Sequence, residues 1–254
     1  MSSIKKIYGL IGKKLGHSFS RDFFNKKFAT ENLSAEYVNF EIDTIEEINK
    51  IISSTPNIVG LNVTIPFKEA VIPLLSHIDP IASNIGAVNT IKIVRNKGLI
   101  ELHGYNTDII GFTESLRPLL KSTDKNALML GTGGAAKAMT AGLRSLGIDV
   151  STVSRSKELA DYTYSELTDQ VIKHHSIIVN STPLGMWPDT DSTPNIPYEF
   201  ITANHIAFDA VYNPNPTKFL TLCQQNGATI KSGLEMLYGQ AIAAWNIWNN
   251  TIKI

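Results

Sequence analysis

Short runs of β-branched and apolar residues alternate with helical patterns along most of the chain. The runs occupy residues 4–11, 36–41, 58–63, 128–130, 149–153, 176–180 and 206–211. Such alternation is typical of βαβ units, in which a helix carries the chain from one strand to a parallel neighbour. It therefore predicts an α/β fold built on mostly parallel sheets.

The alternation is interrupted once, in the middle of the chain. Residues 87–103 have the pattern of two strands joined by a turn near Asn96-Lys97-Gly98, and a helical pattern from about residue 107 to 120 follows. The polar stretch at residues 121–126 then leads into a new strand. A second unit is expected to follow this interruption.

We therefore predict two α/β domains. The first spans residues 1–108 and is completed by 235–254, and the second spans 109–234. The last helical pattern, residues 234–248, is apolar nearly all round, which is typical of a buried helix. We expect this helix to pack back on the first domain.

Charge and hydropathy limit the possible partners. The chain of 254 residues has 23 Lys+Arg against 23 Asp+Glu, so it lacks the one-signed surface that attracts nucleic acid or anionic lipid. No apolar run approaches the ~18 residues that span a bilayer, and no apolar stretch follows the charged first residues. We expect a cytoplasmic protein with a small-molecule partner, bound to neither nucleic acid nor membrane.

Cysteine and histidine give no sign of a disulfide or a metal. The one cysteine, Cys223, lies in an amphipathic helical pattern and is expected to be a packed thiol. The histidines show no metal-ligand spacing: His17, His77, His103, His174, His175 and His205. No metal is predicted.

A glycine-rich turn follows the strand pattern that begins at Asn126. The turn consists of Gly131, Thr132, Gly133, Gly134 and Ala135, and a helical pattern runs from it to about residue 146. The first glycine permits a tight turn, the second allows the backbone to approach a pyrophosphate, and the small residues after it allow the helix to pack close to the strand. The order of strand, turn and helix predicts a Rossmann-like dinucleotide site in the second domain.

The next strand ends at Ser154-Arg155-Ser156, where an NAD enzyme would have a carboxylate for the ribose hydroxyls. An arginine between two hydroxyls is instead suited to a 2′-phosphate, because the guanidinium supplies charge and forked donors. NADP is therefore favoured over NAD. A solvated arginine after a strand is the alternative.

Lys68 and Asp108 each close a polar run. Reduction of a ketone by hydride also requires a proton at the carbonyl oxygen. A lysine ammonium holds its proton at neutral pH, so Lys68 can donate it, and we expect Lys68 and Asp108 to titrate as a coupled pair. The alternative for Lys68 is an exposed residue in the first turn of a helix, where its charge would oppose the helix dipole.

Eight segments, in order and across nearly the whole chain, resemble the shikimate dehydrogenase family. They are residues 16–20 (GHSFS), 62–68 (NVTIPFK), 86–90 (GAVNT), 104–108 (GYNTD), 131–135 (GTGGA), 180–186 (NSTPLGM), 209–214 (DAVYNP) and 233–240 (GLEMLYGQ). The resemblance implies NADPH-dependent, reversible reduction of 3-dehydroshikimate to shikimate in chorismate and aromatic amino-acid biosynthesis, with a substrate-binding first domain and an NADP-binding second domain.

The resemblance also implies roles for individual residues. Lys68 matches the catalytic lysine, and Asp108 is implied to be a catalytic residue that acts together with it. Residues that match substrate-binding positions are Ser18 and Ser20 for the carboxylate, Thr64, Asn89 and Asp108 for the ring hydroxyls, and Tyr212 and Gln240. Ala210 and Gly233 match positions near the nicotinamide. The chain departs from the family pattern at Arg21, Thr132, Ser154 and Ser156, and none of these departures removes a reacting group.

Several alternatives remain open at this stage. Ser18 or Ser20 could simply cap a helix near Arg21, and Thr64 and Asn89 could only shape their loops. The rival activities are a quinate/shikimate or aminoshikimate-type dehydrogenase and, from another class, a non-catalytic NADP-binding sensor. A homodimer is one oligomeric state that the sequence leaves open.

Overall fold

The computed structural model describes residues 4–16 and 18–251, and the chain divides by its contacts into two compact units. Unit 1 comprises Met1–Thr107 and Ala241–Ile254, and unit 2 comprises Asp108–Gln240. Position 17, which holds one of the six histidines considered for metal binding, lies outside the described residues.

Unit 1 contains a six-stranded mixed sheet. Its strands are β1 (Lys6–Gly12), β2 (Ala35–Glu41), β3 (Ile58–Val63), β4 (His77–Ile78), β5 (Thr90–Asn96) and β6 (Leu99–Tyr105), and its first helices are α1 (Phe19–Thr30), α2 (Ile48–Ser54), α3 (Phe67–Ala70) and α4 (Pro80–Ile85). The strand order is β2-β1-β3-β5-β6-β4. Only β5 runs antiparallel to both of its neighbours, and it turns into β6 at Lys97 and Gly98, which both have positive φ. This hairpin is the interruption that the sequence predicts.

Unit 2 contains a six-stranded sheet in which every pair is parallel. Its elements are α5 (Asp108–Leu116), β7 (Asn126–Leu130), α6 (Gly134–Ser145), β8 (Asp149–Ser154), β9 (Tyr162–Thr163), α7 (Asp169–His174), β10 (Ile177–Asn180), β11 (Ile206–Asp209), α8 (Lys218–Gln225) and β12 (Thr229–Ser232). The last helix, α9 (Leu234–Asn249), begins in unit 2 and ends in unit 1. The strand order is β12-β11-β10-β7-β8-β9. Numbered from β7, this is the 3-2-1-4-5-6 order of Rossmann domains, and the order reverses between β7 and β10.

The two faces of the sheet in unit 1 are covered by different kinds of residue. One face buries aliphatic side chains, including Ile11, Ile48 and Leu61. The other buries an aromatic cluster formed by Tyr8, Phe24, Phe28 and Tyr37 together with Ala241, Ala244 and Trp248 of α9. The predicted packing of the last helix on the first domain is therefore confirmed.

Trp248 fixes the end of α9 to this sheet. Its indole Nε1 donates a hydrogen bond to the carbonyl of Ile91 at 3.0 Å, and its ring lies 5.0 Å from that of Tyr8. The indole also lies directly over Gly60, where any Cβ atom would overlap the ring. Packing of this helix thus depends on a residue without a side chain in β3.

The sheet of unit 2 is buried on both faces. Met129, Val179 and Phe208 belong to one apolar cluster, and Leu128, Ile178 and Ala207 belong to the other. Burial on both faces explains why these strands are continuous apolar runs. Cys223 lies in the second cluster, where burial raises the pKa of its thiol to about 12, so it is a packed thiol as expected. Among the described residues, no helix is both long and apolar enough to cross a membrane.

Candidate functional site

A buried polar network lies at the carboxyl end of β3 in unit 1. The Tyr37 hydroxyl donates to Oδ1 of Asn62 at 2.8 Å, and Nδ2 of Asn62 donates to Oγ1 of Thr90 at 3.1 Å. Thr90 in turn donates to Oδ1 of Asn89 at 3.1 Å. Because each group in such a network fixes the direction of the next, these side chains form a rigid polar surface in an apolar surrounding.

Asn89 is held in one orientation by this network. Its Oδ1 also accepts from the backbone nitrogen of Thr107 at 2.7 Å and from the Thr107 hydroxyl at 3.1 Å. With Oδ1 occupied by three donors, Nδ2 is the part of Asn89 that is suited to donate to a substrate hydroxyl. The Oδ1 of Asn89 therefore has a structural role, and the Nδ2 is the atom to which the predicted substrate-binding role applies.

Backbone hydrogen bonds bring Thr64, Lys68 and Asn89 to the same end of the sheet. Thr64 follows β3 directly and donates its backbone N–H to the carbonyl of Ile11 at 2.9 Å. The carbonyl of Lys68 accepts from Val88, the residue before Asn89, at 2.8 Å. Asn89 is thus brought to Thr64 and Lys68, which lie in an earlier segment of unit 1.

Lys68 does not occupy the exposed helical position considered as its alternative. It is half-buried, and α3 has only four residues. So short a helix has little macrodipole, because that dipole is the sum of aligned peptide units. The argument that a helix dipole disfavours Lys68 is therefore wrong for this chain, whereas partial burial still separates Lys68 from an ordinary surface lysine.

Ser18 and Ser20 are both buried at the start of α1, which begins at Phe19 rather than near Arg21. Ser18 is the N-cap, and its Oγ accepts from the backbone nitrogen of Arg21 at 3.3 Å. The Ser20 hydroxyl is hydrogen-bonded to the Tyr37 phenol, and burial raises the pKa of that phenol. Capping is thus part of the role of Ser18, and Ser20 is connected to the polar network through Tyr37.

The other predicted substrate residues belong to unit 2. Asp108 is buried and is the first residue of α5, a position where the helix dipole favours a carboxylate. Gln240 is buried in α9, and its Nε2 donates to the carbonyl of Leu237 at 3.0 Å. This hydrogen bond fixes the orientation of the side-chain amide and therefore of its Oε1. Tyr212 follows β11 and is 36% exposed, and partial burial raises the pKa of its phenol.

The glycine-rich turn joins β7 to α6 in unit 2. Gly131 has φ +108°, and a Cβ atom there would lie 2.6 Å from Oγ of Ser181, at the end of β10. Gly133 is the N-cap of α6, and the space that its Cβ would enter is open. The turn therefore lies where the strand order reverses and leaves room for a pyrophosphate at the N-terminus of a twelve-residue helix.

A second buried network stands at the ends of β10 and β11. Asp209 is fully buried, and its carboxylate accepts from Nδ2 of Asn180 at 3.0 Å, the backbone nitrogen of Val211 at 2.9 Å and Oγ1 of Thr217 at 2.5 Å. Burial outweighs these three hydrogen bonds and raises the pKa of Asp209 to about 6. The carboxyl fixes the loop that carries Ala210 and Tyr212.

Ala210 and Gly233, the residues predicted near the nicotinamide, are neighbours. A side chain at Gly233 would overlap the carbonyl oxygen of Ala210. Glycine is required at position 233 because two backbone segments, after β11 and after β12, approach each other closely. The structure thus brings these two residues together, and their contact with a nicotinamide stays a prediction.

The loop after β8 contains a carboxylate that the sequence argument did not include. Arg155 is exposed, and Ser154 and Ser156 are half-buried. The Ser156 hydroxyl donates to Oε2 of Glu158, and this bond lowers the pKa of Glu158. The end of β8 itself has no acid, but the chain then turns through a 3-10 helix, Lys157–Leu159, and brings Glu158 back to Ser156.

Comparison with known proteins identifies the family. The shikimate dehydrogenase substrate binding domain family matches residues 10–91. The chain is 38% identical over 261 residues to the shikimate dehydrogenase (NADP(+)) of Methanosphaera stadtmanae, covering 95% of this chain and 90% of that protein. The chain belongs to the shikimate dehydrogenase family.

Solved structures of the family have the same fold. The shikimate dehydrogenase of Aquifex aeolicus matches with a TM-score of 0.85 and 35% identity, covering 98% of this chain and 94% of that one. The enzyme of Thermus thermophilus, solved in complex with NADP(H) and shikimate, matches with a TM-score of 0.84 and 28% identity, covering 96% and 94%. The predicted two-domain α/β fold is thereby confirmed.

Three residues that support the site were not identified as site residues from the sequence. Asn62, Thr90 and Thr107 lie within the quoted family segments, but only the fold shows that they orient Asn89.

The structure also brings His77, Glu101 and His103 together, with their ligand atoms within 4.8 Å of one another. Spacing along the chain gave no sign of this cluster, because His77 comes from a different strand.

Proposed function

We propose that this protein is a shikimate dehydrogenase that reversibly reduces 3-dehydroshikimate to shikimate with NADPH, in the chorismate pathway to aromatic amino acids. The observation that carries the proposal is the 38% identity to an NADP(+)-dependent shikimate dehydrogenase over 95% of the chain. A dinucleotide turn at the reversal of a Rossmann strand order supports it independently.

The polar end of the sheet in unit 1 binds the ring of the substrate. A small polyhydroxylated acid requires several short polar side chains in a shielded pocket, and Thr64 and the Nδ2 of Asn89 supply donors and acceptors for its hydroxyls. The hydroxyl of Ser18 binds the carboxylate, and the hydroxyl of Ser20 joins it by turning away from the Tyr37 phenol. Because Ser18 accepts from Arg21 as an N-cap, its own proton remains available for donation to a carboxylate.

Lys68 supplies the proton for ketone reduction. Its ammonium donates to the carbonyl oxygen as hydride reaches the carbonyl carbon, and the alcohol oxygen is formed with the proton that Lys68 gives up. In the reverse direction, the neutral amine takes the proton from the hydroxyl. Asp108 accepts a hydrogen bond from a ring hydroxyl of the substrate.

Unit 2 binds the cofactor. NADPH supplies the hydride, and NADP accepts it in the reverse direction. Backbone N–H groups at the start of α6 hold the pyrophosphate, with Gly131, Thr132, Gly133, Gly134 and Ala135 forming the turn around it. Ser154, Arg155 and Ser156 contact the 2′-phosphate, Arg155 through charge and Ser154 through its hydroxyl. Ser156 joins them when its hydroxyl turns away from Glu158. Ala210 and Gly233 form the backbone surface against the nicotinamide, and Tyr212 and Gln240 contact the substrate.

The test is the replacement Lys68→Met, which keeps length and apolar volume but removes the proton donor. Turnover with shikimate and NADP should fall by about 10² to 10⁴, the usual contribution of general acid–base catalysis, while the KM for shikimate changes far less. Lys50→Met, at an exposed position in α2 of the same unit, is the matched control and should retain full turnover. A Lys68→Met protein with most of its turnover would overturn the role of Lys68.

Glu158 favours one second candidate, a quinate/shikimate dehydrogenase that uses NAD. Its carboxylate is hydrogen-bonded to Ser156, in the loop where NAD enzymes have an acid for the ribose hydroxyls. Initial rates with quinate and shikimate, each with NADP and with NAD, separate the candidates. Turnover of quinate with NAD would support the second one, and cofactor binding without turnover of any ring acid would support a sensor.

We also propose that the protein is cytoplasmic. Its oligomeric state is either a monomer or a homodimer. The equal numbers of acidic and basic residues suit a protein that acts on small metabolites rather than on polyanions. Light scattering on the purified protein distinguishes a mass near 27.9 kDa from twice that mass.

A further inference from the structure

Strand register places three potential metal ligands on one face of the sheet in unit 1, at its edge. His77 of β4 is directly paired with His103 of β6, and β4 is the edge strand. Glu101 precedes His103 by two residues in β6, and residues two apart in a strand project from the same face. The cluster is thus a consequence of register, which neighbouring positions in the sequence do not reveal.

The donor atoms of the three side chains converge. Nε2 of His103 lies 3.1 Å from Oε2 of Glu101, and Nε2 of His77 lies 3.9 Å from the same oxygen. The two imidazole rings meet edge to face with centroids 4.6 Å apart. Donors bound tetrahedrally at about 2.0–2.1 Å from zinc are separated by roughly 3.3 Å. A side-chain adjustment of about an ångström would therefore bring all three donors to a common ion.

We propose that His77, Glu101 and His103 form a binding site for Zn²⁺, separate from the catalytic site. Two imidazoles and one carboxylate are a donor set that zinc accepts, and three protein ligands leave a further coordination position for water. The side chains of His77, His103 and Glu101 are 63%, 25% and 40% exposed, so the ion can reach them from solvent.

The surroundings of the cluster also suit a cation. A cleft of about 330 Å³ adjoins it and is lined by both histidines and by Asp79, Tyr105 and Asn250. Lys92, which is paired with His103 across β5 and β6, directs its ammonium to the carbonyl of Ile247 and to Asn250. The ammonium of this lysine, which also lines the cleft, is thus held by acceptors in α9 and the residue after it.

A metal at this place would attach the edge strand to the sheet. β4 has only two residues, and the backbone hydrogen bonds on either side of it, from Ser76 to Leu102 and from Asp79 to Gly104, are 2.9 Å long. A bound zinc ion would link His77 of β4 to Glu101 and His103 of β6. We therefore expect zinc to slow hydrogen exchange at the backbone amides of Ser76 and Asp79.

The test is a zinc titration of the chelator-treated full chain in competition with a chromophoric chelator. The wild type should bind one Zn²⁺, and His77→Gln, Glu101→Gln and His103→Gln should each bind it at least about tenfold more weakly. His174→Gln removes an exposed histidine of unit 2 and is the matched control, which should bind as the wild type does. His17→Gln is a second control.

The folding of each variant is measured separately from its zinc binding. Circular dichroism and the thermal midpoint in the absence of metal establish that each variant is folded, and hydrogen exchange at Ser76 and Asp79 reports the effect of zinc. Weaker binding in the three cluster variants, with protection of these amides in the wild type and in the two controls but not in the cluster variants, supports the site. The absence of stoichiometric binding, or its loss in a control variant while the cluster variants retain it, overturns the proposal.

Discussion

The buried carboxyl group of Asp209 should make the protein less stable as the pH rises from about 4 to 6. Its pKa is raised from the ordinary 3.8 to about 6 in the folded chain, chiefly by burial. Between these values the folded state holds a proton that the unfolded state has released. Stability is therefore greatest below the unfolded pKa and falls as the pH rises through the folded pKa. A difference of about two pKa units corresponds to about 3 kcal/mol.

The replacement Asp209→Asn isolates this effect. Asparagine has nearly the same shape, its Oδ1 can keep the hydrogen bonds from Asn180 and Val211, and the Thr217 hydroxyl can rotate to accept from its Nδ2. Residue 209 cannot ionise in the variant, so the loss of stability that Asp209 causes over this range should be absent. Relative to the wild type, it should gain up to about 3 kcal/mol between pH 4 and pH 7.

Urea unfolding followed by circular dichroism, at constant ionic strength and at half-unit steps of pH, measures this gain. Other groups titrate in both proteins, so their effects cancel in the difference between the two. Asp149→Asn, at an exposed position of the same unit, is the control and should show no such trend. A difference between Asp209→Asn and the wild type that is independent of pH, or that decreases as pH rises, would refute the reasoning.

Three further replacements test other parts of the account. Glu158→Gln removes a negative charge beside Ser156 and should lower the KM for NADP several-fold relative to NAD, measured by initial rates. Gly233→Ala would overlap the carbonyl of Ala210, and it should cost about 1–3 kcal/mol of stability and weaken NADP binding, measured by thermal unfolding and fluorescence titration. Trp248→Ala removes a buried indole and should cost about 3–5 kcal/mol in urea unfolding.

The sequence predicted those parts of the fold that depend on local pattern. Strands with both faces buried, such as β7 and β10, appear as apolar runs because neither side of the strand meets water. The turn at Gly131 was also predictable, since its φ of +108° is readily available only to glycine. Strand and turn together located the dinucleotide site at the correct βα junction.

Features that depend on distant parts of the chain could not be predicted in this way. β4 has two residues and no recognisable run, so the pairing of His77 with His103 appears only when the sheet is assembled. Similarly, the contact between Ser156 and Glu158 depends on a one-turn helix that the local pattern does not specify. For Asn89, the sequence identified the residue but not the three hydrogen bonds that fix its oxygen.

The most direct test of the proposed activity is the absorbance of reduced nicotinamide in a mixture of the purified protein, shikimate and either NADP or NAD. We expect rapid formation of NADPH and much slower formation of NADH. Addition of 3-dehydroshikimate and NADPH should give the reverse change. Equal rates with the two cofactors would contradict the role of Arg155, and the absence of reduction with both would contradict the assignment of the protein as a shikimate dehydrogenase.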